Sequence, residues 1–403
     1  MYKFFLLLSA LLGASLNLPA QTPPVAMPVL SALPVLPALP VLSTDDASQI
    51  ARQLVKTIAP RPGEHAIIAY DPSCFPEITL AVQSEFLRAG VYPVVLLNFD
   101  PPEIVDKAPS SLAEIKKQEE EFFALLRPAF AQAQIFLWMP ARSLYDDHRW
   151  ERLIEASPVR AIHFHWFLPL ERGDAHEIRK LSAMYQRAVV DTDYPSLSRF
   201  QSRLIAGLRG QTIRITTPDG TDLRLRVPAD AWFHKNDGDM SSARARDARS
   251  VRDREMELPA GALRFIPDPA FAEGRIALPR LPLKDGVAED VVLEYQNGRI
   301  VRMSAKKNEE GLRRYFQEIG GDIDRVGEIV VGTNPLLAER LPSGFAPYYG
   351  YGSGYLRISL GDDWESGGTL RSPASNPVWL IFDRASLQAG ERRLIVDGQF
   401  MEK

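Results

Sequence analysis

The sequence is poor in the residues that form disulfides and metal centres. It contains one cysteine among 403 residues, Cys74, so no intrachain disulfide can form. We interpret that cysteine as a small buried apolar side chain. There are six histidines, and the last of them is His234. The remainder of the chain therefore has no imidazole to offer to a metal ion or a catalytic triad.

Signals for nucleic-acid or nucleotide binding are also missing. The net charge is −4, and no extended lysine and arginine face is visible. The turns after the predicted strands contain neither Gly-x-Gly-x-x-Gly nor Gly-x-x-x-x-Gly-Lys-Ser/Thr, so a phosphate cradle is unsupported. With 45% hydrophobic and 24% charged residues, the composition is that of a globular protein long enough for two domains.

The first 43 residues differ in composition from the rest. Residues 1–20 have a positive start, the apolar run Phe4–Leu12 and a Leu-Pro-Ala site before Gln21, which predicts a secretory signal peptide and a periplasmic or secreted protein. An uncleaved membrane anchor is the alternative; after cleavage no membrane contact is expected. Residues 21–43 repeat Pro-Val-Leu, which predicts an extended linker without a catalytic role.

Residues 44–208 alternate helical and strand patterns. Apolar residues at helical spacing indicate helices, and short apolar runs ended by Asp-Pro or glycine indicate strands. This alternation predicts an α/β N-terminal domain with a mostly parallel sheet and helices on both faces. The predicted helices are 45–58, 78–89, 112–126, 150–155, 176–190 and 196–208, and the predicted strands are 66–70, 93–97, 134–139 and 161–166.

The pattern changes at Gly210. Residues 209–403 contain two hairpin signals, one around Pro-Asp-Gly and one around Asn-Gly, and few helical stretches. They predict a mainly antiparallel β (α+β) C-terminal domain. The predicted hairpin strands are 212–217 with 221–227 and 291–295 with 300–304, further strands are 355–360, 378–382 and 393–396, and a helix is predicted over 309–319.

One histidine pair in the first half has the spacing of metal ligands. His163 and His165 are two residues apart on a predicted strand, so their side chains point to one face. No carboxylate or third histidine lies at a recognisable sequence spacing from them. We therefore predict no metal there.

The stretch Gly327–Pro335 is the strongest site signal in the second half. Glu328 precedes an apolar triplet, and Gly332, Asn334 and Pro335 then stop the strand. This pattern indicates a site at a strand edge. The alternative is an ordinary buried strand with a solvated glutamate at its end.

The order of motifs around this stretch resembles a known family. A hairpin with Pro-Asp-Gly-Thr, then Leu-Pro-Ala-Gly, then a hairpin with Asn-Gly, then Gly-Glu-x-x-x-Gly-x-Asn-Pro, is similar to the aminopeptidase T and aminopeptidase S family of metallopeptidases. The resemblance covers residues 44–382 in layout and 213–368 in motifs. It implies an α/β N-terminal domain, a C-terminal domain with a two-metal site of ions such as zinc or cobalt, and a homodimer.

The resemblance also implies where the metal ligands would stand, and most of them are replaced. Ala, Val, Leu and Trp side chains cannot bind a metal, and arginine stays protonated. We therefore predict a divergent member without conventional two-metal peptidase activity and without a metal cofactor. A related dihydroxypyridine ring-cleaving dioxygenase is disfavoured on the same ground. Of six implied ligand positions one keeps a ligand-type residue, Glu328, and the others are Ala262, Arg357, Trp364, Val378 and Leu380.

A glutamate left in a former metal cavity would be an uncompensated buried charge, which is costly. Arg357 places a cation at an implied ligand position, so we predict a bidentate pair between Glu328 and Arg357. The alternative is that Arg357 points to solvent. We assign no catalytic residue, and Glu328, Arg357 and Asn334 are the candidate ligand-binding residues.

Three functions remain open. The favoured one is an exported, aminopeptidase-like protein that binds a peptide or small molecule in the inherited cleft. The second is an active metal-dependent aminopeptidase or hydrolase with a rearranged site, and the third is a structural or interaction scaffold. The second would draw on Asp322, Asp324 and His234 besides Glu328 and Arg357, and the third on the linker and the aromatic loop 345–355.

Export predicts a processed chain. When the full-length chain is expressed in a bacterium with a secretory pathway, we expect the mature protein to begin at Gln21. Intact-mass and N-terminal peptide analysis of the extracytoplasmic fraction measures this. A chain that keeps residues 1–20 and remains with the membranes would contradict the signal-peptide prediction.

Overall fold

The structure, a computed structural model, describes residues 42–98, 112–140, 148–166, 175–283, 286–339, 347–372 and 378–402. The predicted signal peptide and nearly all of the predicted linker lie outside the described residues. So does the beginning of the aromatic loop 345–355.

The first layer is a five-stranded parallel sheet. Its strands lie in the order β2 (Val94–Asn98), β1 (Ala66–Tyr70), β3 (Ile135–Trp138), β4 (Arg160–Phe164) and β8 (Glu255–Leu258). Its helices pack on both faces through apolar side chains. Helices α1 (Thr44–Ile58), α2 (Pro76–Arg88) and α5 (Ala175–Val190) pack on one face, against the sheet residues Ile68, Leu137 and Ile162. Helices α3 (Leu112–Gln132) and α4 (His148–Glu155) pack on the other face. The elements are α1 (Thr44–Ile58), β1 (Ala66–Tyr70), α2 (Pro76–Arg88), β2 (Val94–Asn98), α3 (Leu112–Gln132), β3 (Ile135–Trp138), α4 (His148–Glu155), β4 (Arg160–Phe164), α5 (Ala175–Val190) and α6 (Tyr194–Leu208).

The fifth strand of this sheet comes from the second half of the chain. Strand β8 (Glu255–Leu258) pairs in parallel with β4, and His163 lies opposite Glu257. Parallel strands present the ends of their chains at a common edge, where the loops that follow can meet. The second half thus contributes side chains to the carboxyl edge of the first sheet.

Two antiparallel sheets follow in the described residues of the second half. One has eight strands in the order β12-β11-β10-β6-β5-β16-β17-β18, and the other has five in the order β15-β14-β13-β9-β7. The elements are β5 (Thr212–Thr216), β6 (Asp222–Arg226), β7 (Phe233–Lys235), α7 (Ser242–Ala245), β9 (Ala262–Phe265), β10 (Ala272–Leu283), β11 (Gly286–Gln296), β12 (Arg299–Ser304), α8 (Glu309–Ile319), β13 (Val326–Gly332), β14 (Leu356–Leu360), β15 (Val378–Phe382), β16 (Ser386–Ala389), β17 (Arg392–Val396) and β18 (Gln399–Phe400).

The five-stranded antiparallel sheet has two different buried faces. Ile329 and Val331 of β13 pack into the apolar core that this sheet shares with the eight-stranded sheet. Val330, between them, packs into the core of the parallel layer together with Ala262. Because strand residues alternate between faces, Glu328 points to the same side as Val330. The charged residues of the site therefore lie between the two layers.

The predicted fold class is confirmed: a parallel sheet with helices comes first and antiparallel sheets follow. Every predicted helix and strand in residues 44–208 is present, with ends shifted by a few residues. Strands β7, β8, β9, β10, β16 and β18 were not predicted. The sequences of β8, β9 and β10 contain glutamate, arginine or proline at positions that an alternating apolar pattern would reserve for buried residues, and tertiary pairing outweighs that pattern. Strands β7, β16 and β18 are only three, four and two residues long, too short to show a pattern.

Membrane-spanning helices are not found in the part of the chain that the structure describes. No helix there combines the length and the apolar character that crossing a bilayer requires.

The close packing behind Gly332 gives a stability prediction. A Cβ at Gly332 would overlap the backbone carbonyl oxygens of Gly350 and Gly352, and backbone atoms cannot move aside cheaply. We expect Gly332→Ala to lower the free energy of unfolding by about 3 kcal/mol. Urea unfolding followed by circular dichroism measures this.

A helical glycine is the matched control. A Cβ at Gly207 would meet its nearest side-chain atoms at 3.7 Å, an ordinary contact. Gly207→Ala should leave the stability unchanged or raise it by about 0.5–1 kcal/mol. Equal effects of the two substitutions would mean that the turn at Gly332 is not tightly packed.

Candidate functional site

Glu328 is held by two arginines and a serine. Its Oε1 accepts hydrogen bonds from Arg357 Nη2 at 3.0 Å and from Arg264 Nη1 at 2.9 Å. Its Oε2 accepts one from Ser366 Oγ at 2.7 Å. Glu328, Arg357 and Arg264 are only 5%, 1% and 4% exposed. Both oxygens of the carboxylate are therefore hydrogen-bonded in the interior.

The predicted pair between Glu328 and Arg357 is confirmed, but it is not bidentate. Both guanidinium groups donate to Oε1 and Ser366 donates to Oε2, so neither arginine binds both oxygens. Arg264 was missed by sequence reasoning. The available signal was its position two residues after Ala262, on the same face of β9.

The strand register explains why these side chains meet. Val330 of β13 lies opposite Arg264 on β9 and opposite Arg357 on β14. Directly opposite residues of antiparallel strands point to one face, and residues two apart on a strand do so as well. Glu328, two residues before Val330, therefore shares its face with both arginines.

The charge balance keeps Glu328 ionised. Burial alone would raise the pKa of Glu328, but Arg264 and Arg357 outweigh burial and hold that pKa below its usual value of 4.5. Arg357 has donors to spare, since its Nε and Nη1 have no hydrogen-bond partner. Its guanidinium lies 4.4 Å from the ring centre of Trp379, a cation–π contact.

Arg264 links Glu328 to a second buried carboxylate, Glu257. Arg264 Nη2 donates to Glu257 Oε2 at 2.5 Å. The hydroxyl of Tyr351 also donates to Glu257 Oε2, and Asn236 Nδ2 approaches the same oxygen at 3.4 Å. Burial would raise the pKa of Glu257, but Arg264 and Arg252 hold it well below the usual range.

A third arginine, Arg252, forms ion pairs with four carboxylates. It contacts Glu365, and it lies 2.9 Å from Glu255, 3.1 Å from Glu151 and 3.7 Å from Glu257. Burial raises the pKa of Glu255 above its usual value, although Arg252 opposes that change. The described ion pairs thus run from Arg252 through Glu257 and Arg264 to Glu328 and Arg357.

His163 and His165 meet Glu257 at the carboxyl edge of the parallel sheet. Their ligand atoms and a carboxylate oxygen of Glu257 all lie within 4.8 Å of one another. Burial lowers the pKa of His163 to about 3 and that of His165 well below its usual range, so both rings are neutral at pH 7. Among the residues that the structure describes, these three form a group whose side chains could bind one metal ion together. The third member was missed because it lies on β8, far away in sequence.

Asn334 serves as a structural junction. It is fully buried. Its Nδ2 donates to the carbonyl oxygen of Ala260 at 2.6 Å and to Thr192 Oγ1 at 3.0 Å, and its Oδ1 accepts from the backbone N–H of Leu336 at 2.9 Å. Its ligand-binding role stays a prediction.

Of the other candidate acid–base residues, His234 lies beside the site, whereas Asp322 and Asp324 lie in separate local ion pairs. His234 is buried next to Arg264 on the neighbouring strand, with Nδ1 3.9 Å from Asp253 Oδ1. Burial lowers the pKa of His234. Asp322 and Asp324 form ion pairs with Arg325 and Arg299, at 3.7 and 2.7 Å.

The positions implied as metal ligands do not all reach Glu328. Ala262 lies on the same face of the sheet and is buried in the core of the parallel layer. Val378 and Leu380 lie in the apolar core on the opposite face, so they take no part in the site. Trp364 begins the short turn Trp364–Ser366, which brings Ser366 to Glu328.

An open surface pocket lies in the C-terminal half. It has a volume of about 420 Å³, and neither Glu328 nor Arg357 lines it. Cavities of this size are common ligand sites. Its lining residues are Pro335, Ala338, Ser353, Tyr355, Asp383, Gly398 and Gln399.

Comparison with known proteins defines the fold as aminopeptidase T-like. No protein-family model and no curated protein sequence matches the chain. Among solved structures, wild-type AmpT, aminopeptidase T from Thermus thermophilus, aligns with a TM-score of 0.62 and 15% identity, over 89% of this chain and 99% of that one. The 2,5-dihydroxypyridine dioxygenase of Pseudomonas putida KT2440 aligns with a TM-score of 0.61 and 15% identity, over 90% of this chain and 99% of that one. At such identity the likeness establishes the fold.

Replacing Glu328 by glutamine should destabilise the protein in a pH-dependent way. The substitution leaves Arg264 and Arg357 buried without their anion, which costs about 3–5 kcal/mol near pH 7. Because the pKa of Glu328 is lower in the folded than in the unfolded chain, its contribution is present above about pH 4.5 and lost as the pH falls through the folded pKa. Urea unfolding of wild type and Glu328→Gln across this range measures the difference.

An exposed ion pair provides the control. Glu289 lies 2.6 Å from Lys307 at the surface, and Glu289→Gln should change the unfolding free energy little at any pH. A Glu328→Gln penalty that stays constant down to pH 3 would contradict the assigned ionisation of Glu328.

Proposed function

We propose that the chain is an exported, aminopeptidase-like protein without conventional two-metal peptidase activity that binds a peptide or small molecule. The proposal rests on the Glu328 network, which consists of Glu328 and its three hydrogen-bond donors Arg264, Arg357 and Ser366. Two metal ions need several carboxylates and imidazoles around one space. Here Arg264 and Arg357 supply the positive charge next to Glu328 instead.

The ligand-binding part of the proposal rests on unused donors. Arg357 keeps two buried N–H-bearing atoms, Nε and Nη1, without partners, and an unpaired buried donor is costly. Trp379 and Tyr349 are both partly exposed and have ring centres 5.3 Å apart, and the Trp379 ring lies 4.4 Å from the guanidinium of Arg357. A ligand that carries a carboxylate or carbonyl oxygen beside an apolar group suits this combination.

A second candidate is a metal-dependent hydrolase with its site elsewhere in the fold. The grouping of His163, His165 and Glu257 favours this candidate over a pure scaffold. Of the activities named for the structural neighbours, aminopeptidase and ring-cleaving dioxygenase, neither finds its implied ligand set around Glu328.

A peptidase assay separates these candidates. We expect the mature protein to leave aminoacyl-nitroanilides uncleaved with added cobalt, zinc or manganese, because no group of metal-ligating residues is found around Glu328 among the residues that the structure describes. The measurement is nitroaniline release over a panel of amino acids, with AmpT as the positive control.

Cleavage that disappears in Glu328→Gln would overturn the proposal and restore a conventional peptidase. Cleavage that persists in Glu328→Gln but is lost in His165→Ala would favour the relocated hydrolase. Ligand binding is tested separately by calorimetry with dipeptides, where loss of binding in Arg357→Leu supports the role of that arginine.

A further inference from the structure

We propose that His163, His165 and Glu257 bind one divalent transition-metal ion, with zinc favoured by the ligand types. Two imidazoles and one carboxylate form a known catalytic zinc set, and the same combination also holds iron(II). Glu257 also belongs to the series of ion pairs that reaches Glu328 through Arg264, but the metal proposal does not depend on the proposed function.

The backbone places the three side chains before any metal arrives. His163 and Glu257 are opposite each other on adjacent parallel strands. The backbone N–H of His165 donates to the carbonyl oxygen of Leu258 at 2.8 Å, which extends the pairing beyond the strand end. A zinc site needs ligand atoms about 3.3 Å apart in tetrahedral geometry. The three ligand atoms lie within 4.8 Å of one another, so metal binding would draw them together by up to about 1.5 Å.

Each ligand atom is available for a metal. The Nε2 of His165 is buried and has no hydrogen-bond partner, which costs free energy that a metal bond would recover. The two carboxylate oxygens of Glu257 have different neighbours. Oε2 takes the hydrogen bonds from Arg264, Tyr351 and Asn236. Oε1 faces His165 Nε2 at 3.9 Å and Arg252 Nη1 at 3.7 Å, both beyond hydrogen-bond distance.

The surroundings match the outer shell of a metal site. His163 Nδ1 lies 3.4 Å from Glu255 Oε1, and carboxylates next to metal-binding histidines commonly orient the imidazole ring. The His163 ring stacks on Trp138, with ring centres 3.6 Å apart and planes at 4°, so the imidazole is held rigidly. The side chains of His163 and His165 are 11% and 14% exposed.

Metal content tests the proposal directly. Mature protein made without a histidine tag is incubated with zinc, dialysed and analysed by mass spectrometry for metals. We expect about one zinc ion per chain in the wild type and less than about a tenth of that in His165→Ala and Glu257→Gln. Cobalt substitution should give a visible absorption band in the wild type that these variants lack.

His65→Ala is the matched control, since His65 lies at the opposite, amino edge of the same sheet; it should keep its zinc. A misfolded variant is detected by circular dichroism, and His165→Gln then replaces His165→Ala. A wild type that takes up no zinc, or a folded His165→Ala that retains it, would overturn the site. Zinc lost only from Glu328→Gln would instead place a metal in the aminopeptidase-like position.

Discussion

The neutralisation of one buried carboxylate by two guanidinium groups constrains the centre of this molecule. Glu328 lies where the antiparallel sheet packs against the parallel layer, and an unpaired charge there would cost several kcal/mol. Arg264 and Arg357 can lie beside it only because β9, β13 and β14 are in a fixed register. The ion pair and the strand pairing therefore depend on each other.

The two candidate sites are coupled through Arg264. This arginine donates to Glu328 with one nitrogen and to Glu257 with the other. A cation bound at His163 and His165 would draw the negative charge of Glu257 towards itself and leave Arg264 freer to neutralise Glu328. A change in the charge of either carboxylate would therefore alter the electrostatic environment of the other through Arg264.

The sequence predicted the layers well and the site in part. The apolar periodicity of residues 44–208 and the two hairpin signals depend on local contacts, so helices and hairpins could be predicted from short windows. Glu328 and Arg357 were found together because a motif order singled them out. Arg264 and Glu257 could not be found in that way, since they become neighbours of the site only through strand pairing with distant segments. The same reason explains why the histidine pair seemed to lack a carboxylate.

Strand β8 makes the parallel sheet of the first half depend on the second half of the chain. The sequence pattern changes after residue 208, but the parallel sheet is complete only when Glu255–Leu258 has paired with β4. A fragment that stopped at residue 208 would present the free backbone edge of β4, a template for association with other chains. During synthesis, well over half of the protein must leave the ribosome before the fifth strand can join the first sheet. The first half therefore cannot complete its sheet without the second.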